Sequence, residues 1–394
     1  MYAKIQQRLP RQNEPLLRLG QVRFRNKVQT FGMYQADRLR HTWVIGKTGS
    51  GKSTLLVNLI AQDLAMGHGL AVFDPHGDLV ERVRALVPAR RAHQVVHFNP
   101  ADTAHPIAFN VFRAGKVRLE PAVVSAQLLA TFRKQWGDSW GPRLEHILRN
   151  ALLAVAEDPR ATLLFLYRFL TDTALRETVV EKLTDPIVRD FWTREFANYS
   201  ANLQAEMLSP VLNKVGAMAA NPVIRAIVSQ ERSRVDLQRT MDDGGIVLAD
   251  LSTGRIGEDA SRLLGGLLLA SLQLSAMRRS PKPRPFFLYI DEFQNFVTDA
   301  LATMLAEARK FGLGLVLAHQ YLAQLPPSLA AAVRGNVGTI IAFRLGAEDA
   351  LTLEAEFNPP FNVRDLTTTP ARMAVMKLLV DGTQAEAFLA ETLP

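Results

Sequence analysis

The chain has 394 residues, 48% hydrophobic and 21% charged, a composition that fits a globular protein with two or three domains and excludes a disordered one. The absence of cysteine excludes disulfides and thiolate-held metals and suits a cytosolic protein. The net charge of +8 is concentrated in residues 1–40, where nine cations face only Glu14 and Asp37.

These first 40 residues read as a small, basic, β-rich arm. Within them VRFRNKV at 22–28 alternates, predicting one strand with Val22, Phe24 and Val28 on one side and Arg23, Arg25 and Lys27 on the other. The charged side is either a solvated face or a polyanion contact.

From Thr42 the pattern is α/β: a strand TWVIG, a glycine-studded loop, a helix from about Thr54 to Met66 stopped by Gly67 and Gly69, then a strand LAVFD. A short strand VVHFN and a polar, proline-containing loop to about Gly115 follow. Residues 118–236 carry helical patterns with almost no strand signal and read as an inserted all-helical domain, leaving 41–117 and 237–394 as one split α/β unit. Strands return as IVLADL, FFLYID, LGLVLAHQ and TIIAFRL, with helices expected at 260–277 and 299–311 and a strand pair near 373–389. This alternation predicts a mainly parallel sheet covered on both faces. The apolar stretch LLGGLLLASLQLSAM at 263–277 is too short and too interrupted by Ser and Gln to span a bilayer and reads as a buried helix; the N-terminus shows no apolar signal core.

Gly46-Lys47-Thr48-Gly49-Ser50-Gly51-Lys52-Ser53 matches the phosphate-binding pattern G-x-x-x-x-G-K-[ST], and Thr54 continues it into the helix. Glycines let successive backbone N–H groups curl around a triphosphate, while the following helix aims its positive end at the same oxygens. Lys52 suits the β- and γ-phosphates and Ser53 suits Mg²⁺, so ATP and Mg²⁺ are the expected ligands. PFFLYIDEF at 285–293 ends a buried strand on two carboxylates. Asp291 suits Mg²⁺ and Glu292 suits activation of the attacking water, which marks a hydrolase rather than a binder. LVLAHQ repeats the design and ends on Gln320, placed to sense a γ-phosphate if its strand neighbours the other two. Asp74, at another strand end, is a weaker candidate for the same metal, and His76 in the turn Asp74-Pro75-His76-Gly77-Asp78 reads as a turn residue. In TDALATMLAEARKFG, Arg309 and Lys310 emerge near a helix end; either is an arginine finger for a neighbouring subunit, or both merely complement the helix dipole.

TGSGKSTL, VFDPHGDL, SWGPRLEHILRNALLA, LYIDEFQNF, EARKFGLGLVLAHQ and GNVGTIIAFRLGAEDA, in this order, resemble the conjugative coupling-protein branch of the HerA–FtsK superfamily from about Arg38 to the C-terminus. That resemblance implies a RecA-like core, a hexameric ring threading DNA, ATP held between subunits and a role in type IV secretion and conjugation. It assigns the finger to Arg309, with Arg255 in LSTGRIGED second, and makes the helical insertion the all-α domain at one face of the ring. A relaxase or secretion-channel protein would be the partner. Family members commonly carry N-terminal membrane helices and this sequence shows none: either it is a soluble member or it begins after an anchor, and the expected place is the cytoplasm or the periphery of the inner membrane. A repair or defence motor working with a nuclease, a secretion ATPase acting on polypeptide, and a small-molecule P-loop transferase remain the alternatives.

Overall fold

The computed structural model describes residues 16–24, 27–115, 117–296 and 299–393. Its strands are β1 (Leu16–Phe24), β2 (Lys27–Tyr34), β3 (Thr42–Ile45), β4 (Gly69–Asp74), β5 (Val95–Phe98), β6 (Ile246–Asp250), β7 (Phe286–Ile290), β8 (Leu313–His319), β9 (Thr339–Ala342), β10 (Met373–Lys377) and β11 (Phe388–Thr392). They form one eleven-stranded sheet in the order β2-β1-β11-β10-β9-β3-β8-β7-β4-β6-β5. The seven strands from β9 to β5 are all parallel, and β10, β11, β1 and β2 extend them antiparallel. Every residue of β3, β4, β6, β7, β8 and β9 is buried, as the uninterrupted apolar runs require of a parallel sheet covered on both faces.

One face is covered by α1 (Lys52–Met66), whose Leu55, Leu56, Leu59 and Ile60 pack with Val44, Val72, Tyr289 and Val316. Gly67 ends this helix in the left-handed conformation, φ 78°, which the missing Cβ permits. The opposite face carries α5 (Glu258–Met277), which is long and apolar enough to cross a membrane but is almost wholly buried against the sheet and the helices above it. Those helices include α2 (Pro121–Gln135), α3 (Pro142–Glu157) and α4 (Ala201–Ala220), and α2 rests directly on α5. Phe132, Leu148, Phe169 and Val215 of this helical region are continuous with Leu264, Leu288 and Leu317 below them.

The expectation of one strand across 22–28 is overturned. Phe24 pairs with Lys27 and Arg23 with Val28, so the stretch divides between the two arms of a hairpin. Directly opposed residues share a face, so the turn reverses the parity of the alternation. Val28 therefore lies on the side of Arg23 and is 55% exposed, instead of joining Val22. Arg25 lies outside the described residues. The hairpin continues the main sheet, since Gly20 and Gln21 of β1 pair with Thr392 and Glu391 of β11.

Beneath the sheet, Arg38 forms a bidentate pair with Asp63 of α1, at 2.8 and 2.7 Å, and its guanidinium stacks 3.4 Å from the Phe287 ring centroid. The Tyr289 hydroxyl donates to the same carboxylate at 2.6 Å, and the His68 ring nitrogen lies 2.9 Å from it. Burial alone would push the Asp63 carboxyl up, but Arg38, His68 and Tyr289 hold it below the ordinary carboxylate range. This cluster fastens the far end of α1 to β7, and each charge is solvated only by the others. Replacing Asp63 by Ala strands a buried guanidinium, so urea unfolding should show a loss of about 3–5 kcal/mol. The apolar pair Arg38→Met with Asp63→Leu should recover most of it. A loss below about 1 kcal/mol for Asp63→Ala would mean that water reaches Arg38.

Candidate nucleotide site

Register decides which side chains meet. β8 lies between β3 and β7, with His319 level with Ile45 and Leu317 level with Ile290. The phosphate-binding loop after β3, the carboxylates after β7 and Gln320 after β8 therefore emerge along one edge of the sheet. In an open parallel sheet, that carboxyl edge is where ligands bind.

The loop from Gly46 to Thr54 is held from outside by backbone contacts. The Lys47 N–H donates to the Arg344 carbonyl at 2.9 Å, and the Arg372 N–H donates to the Ser50 carbonyl at 3.0 Å. Gly49 and Gly51 take φ of 73° and 122°, the region only glycine enters freely. Lys52 is buried and donates to the Gly46 and Lys47 carbonyls at 2.5 and 3.2 Å, while the Ser50 hydroxyl donates to the Lys47 carbonyl. Burial lowers the pKa of Lys52 against the opposing pull of Glu292 and Asp291. Ser53 is exposed at the first turn of α1, where backbone N–H groups lack helical partners.

The carboxylates sit under tension. Asp291 is 6% exposed and its pKa is pushed up to about 6, first by burial and then by the charges of Glu292 and Asp74. A buried carboxylate crowded by two others, within reach of the charge of Lys52 in the phosphate-binding loop, fits a divalent cation, which would relieve that crowding. Glu292 has φ 44°, unusual for a residue with a Cβ, and such backbone concentrates at functional sites. Its carboxylate accepts from the amides of Gln320 at 2.9 Å and Gln294 at 2.8 Å. The Thr48 hydroxyl in turn donates to the Gln320 side-chain oxygen at 2.9 Å. Thr48, Gln320, Glu292 and Gln294 thus form one hydrogen-bonded chain from loop to carboxylate. Beside it opens a cleft of about 700 Å³ lined by Lys47, Thr48, Gln320, Tyr321, Arg344 and Glu348.

Other candidates fall elsewhere. Both oxygens of Asp74 accept backbone N–H groups, from His76 and Val80, so this residue caps its own turn and acts on Asp291 through charge. Arg255 is paired with Asp250 and reaches Asn99, at the carboxyl end of β6. Arg309 is exposed on the tight turn Ala308–Phe311 that enters β8, at the end opposite Gln320. At about 3.3 Å per residue the strand holds the two ends on the order of 20 Å apart. Sequence reasoning missed Gln294 and the anchoring backbones of Arg344 and Arg372. Only Gln294 carries a signal, as a polar residue two positions beyond Glu292.

The family model for the type IV secretion-system coupling protein DNA-binding domain matches residues 26–355. The chain belongs to this family. Sequence comparison with curated proteins gives no match. Among solved structures, the plasmid coupling protein TrwB with a non-hydrolysable GTP analogue has TM-score 0.70 at 18% identity, covering 92% of this chain and 87% of that one. TrwB with ADP and Mg²⁺ gives 0.67 at 18% identity, again over 92% and 87%. VirB4 of Thermoanaerobacter pseudethanolicus gives 0.65 at 17% identity over 96% of both chains. These likenesses establish the RecA-like α/β fold of the family member.

A methyl group on Gly46 would lie 2.6 Å from the Phe343 Cβ and 3.1 Å from the Ser50 hydroxyl. Gly46→Ala must therefore shift the loop, and overpacking of this kind costs about 1–3 kcal/mol, a loss of roughly 5- to 150-fold in affinity. Calorimetric titration with an ATP analogue should show that loss while circular dichroism stays native. Unchanged affinity would mean that the loop relaxes freely.

Proposed function

We propose that this coupling-protein family member is a Mg²⁺-dependent ATPase that moves DNA through a homo-oligomeric ring, a hexamer, during conjugative transfer. The observation that carries the reading is the hydrogen-bonded chain from Thr48 through Gln320 to Glu292. It joins the loop that would hold the triphosphate to the carboxylate that would orient water. TrwB, similar in fold, is solved with ADP and Mg²⁺, which supports the same ligands here. The family's DNA-binding designation supports DNA as the cargo.

In this reading the phosphates displace the loop carbonyls from Lys52, whose ammonium then faces the β- and γ-oxygens. Ser53 and Asp291 would hold Mg²⁺, which would supply charge neutralisation to the triphosphate. The γ-phosphate, which only accepts, competes with Glu292 for the Gln320 amide N–H, loosening that contact and freeing the carboxylate to orient the attacking water. Loss of the γ-phosphate restores the chain, so each turnover makes and breaks the same hydrogen bonds. Residues 118–236 serve as the all-α domain that receives the DNA.

Lys52→Ala should abolish nucleotide binding, whereas Glu292→Gln should bind ATP and not turn over, since the lysine meets ground-state phosphates and the glutamate acts on water. Filter binding and phosphate release separate the two steps, and wild-type turnover by Glu292→Gln would remove Glu292 from this role. Turnover should rise with DNA and not with unfolded polypeptide; the reverse would make this a polypeptide motor.

Arg309 serves the neighbouring subunit. Its replacement by Ala should lower kcat by about 10³–10⁵ with little change in ATP affinity, the range for a finger acting on transition-state charge. Mixing Arg309→Ala with Glu292→Gln subunits should restore part of the activity, because some interfaces then pair an intact finger with an intact carboxylate. A strictly monomeric protein with full ATPase activity, by light scattering with ATP, Mg²⁺ and DNA present, would end the argument for a finger in trans.

A further inference from the structure

One of the buried polar groups of the described residues that the catalytic reading leaves unused is the imidazole of His319. It ends β8 immediately before Gln320 and is fully buried. The Trp43 indole N–H donates to its Nε2 at 2.9 Å, with the two rings stacked 5.7 Å apart. Phe293, directly after Glu292, meets it edge-on at 5.1 Å. The His319 carbonyl accepts the Gly46 N–H at 3.4 Å. One residue thus touches the strand before the phosphate loop, the loop's first glycine and the segment after the carboxylates, and it is covalently joined to Gln320.

Its protonation follows from these contacts. Burial, and then the charge of Lys52, lower the imidazole pKa to about 3, so the ring is neutral at working pH and carries one N–H. An indole nitrogen only donates, so Nε2 is the acceptor and the proton sits on Nδ1. That Nδ1 is buried and has no hydrogen-bond partner. The Tyr321 backbone is placed as a weak acceptor that raises the ring's proton affinity, but the contact falls short of full hydrogen-bond geometry and leaves Nδ1 without a made bond. An orphaned buried donor costs free energy that a small movement of its neighbour recovers.

We infer that His319 is a positioning residue for Gln320: when Gln320 turns to a γ-phosphate, the Tyr321 carbonyl closes on the His319 Nδ1–H and fixes the Tyr321–Leu322 peptide, and with it the segment that begins at Gln320, in the engaged state. The inference rests on the nucleotide reading above. Trp43 holds the tautomer that makes closure possible, and the ring walls of Trp43 and Phe293 keep water from taking the Nδ1 proton. The nucleotide-free state keeps the donor unpaired, and the engaged state satisfies it. His319 touches no phosphate in this scheme. It alters how long Gln320 stays engaged, so its loss should appear in kcat and not in KM.

Two measurements test this. The first labels the full chain with 5-fluorotryptophan and follows the Trp43 fluorine resonance, assigned by its loss in Trp43→Phe. It should stand unchanged with ADP and Mg²⁺ and move with a non-hydrolysable ATP analogue and Mg²⁺. In Gln320→Ala, which still binds the analogue by calorimetry, it should not move. The second compares variants: Gln at 319 keeps an acceptor for Trp43 and loses the Nδ1 donor, whereas Asn keeps a donor at the Nδ1 position. His319→Gln should lower kcat about tenfold at constant KM, and His319→Asn should stay within about threefold of wild type, as one hydrogen bond allows. Calorimetric binding of the analogue with an unmoved Trp43 resonance overturns the inference alone, as does equal loss of kcat in both variants. Absence of analogue binding to the wild-type protein overturns the nucleotide site and this inference together.

Discussion

Three parallel strands held in register govern everything else in this molecule. β3, β8 and β7 share continuous ladders, and their last residues bring loop, glutamine and carboxylates to one edge. A slip of one residue along either ladder would turn Gln320 or Glu292 to the other face, because side chains alternate with period two. The apolar residues inside the strands therefore set the catalytic spacing. Trp43, Leu317 and Ile290 face one core, and Val44, Val316 and Tyr289 face the other, so both cores oppose a slip. The Arg38–Asp63–Tyr289 cluster adds a directional tie between α1 and β7 that packing alone would not supply.

The charge arrangement at the edge is that of a site built around something it must bind. Lys52 is buried with its ammonium on two loop carbonyls, and Asp291 is buried beside two other carboxylates. Neither environment is a good solvent for an ion, and each charge depresses or raises the other's proton affinity in the direction that burial opposes. A triphosphate with a divalent cation answers both demands at once, giving the lysine an anion and the carboxylate a cation. In the proposed function, binding would relieve both burdened charges, which would couple affinity to the same atoms that act on the γ-phosphate.

Much of this was legible in the sequence, for physical reasons that differ by element. The phosphate loop and the two carboxylates could be read because backbone geometry and metal chemistry restrict which residues serve there. That the central strands are mainly parallel and covered on both faces could be expected from their long apolar runs alternating with helices, though their order could not. The hairpin at 22–28 could not, since alternation looks the same through a two-residue connection while the facing of every later side chain reverses, as exposed Val28 shows. The Thr48–Gln320–Glu292 chain and the Trp43–His319 pair join residues 272 and 276 positions apart, and no local spacing encodes such partners. They appear only once strand order is known.

Strand geometry also bears on why such a site would be shared between chains. Arg309 leaves the sheet at the amino end of β8, and Gln320 leaves it at the carboxyl end of the same strand. Seven fully buried residues stand between them, so no loop movement carries that guanidinium round to its own nucleotide. Arg255 is on the correct edge, yet its guanidinium is already committed to Asp250 and Asn99. The described residues thus supply the loop, two buried carboxylates and Gln320 for the proposed site, with no free guanidinium from Arg309 or Arg255 at the γ position. A subunit stacked so that the entry of its β8 meets this edge would deliver one. Such a head-to-tail contact uses different surfaces on the two partners, and it gives the proposed ring where the rotation between subunits closes. In such a ring each site would sense its neighbour directly, and hydrolysis in one subunit would alter the contact that the next one must make.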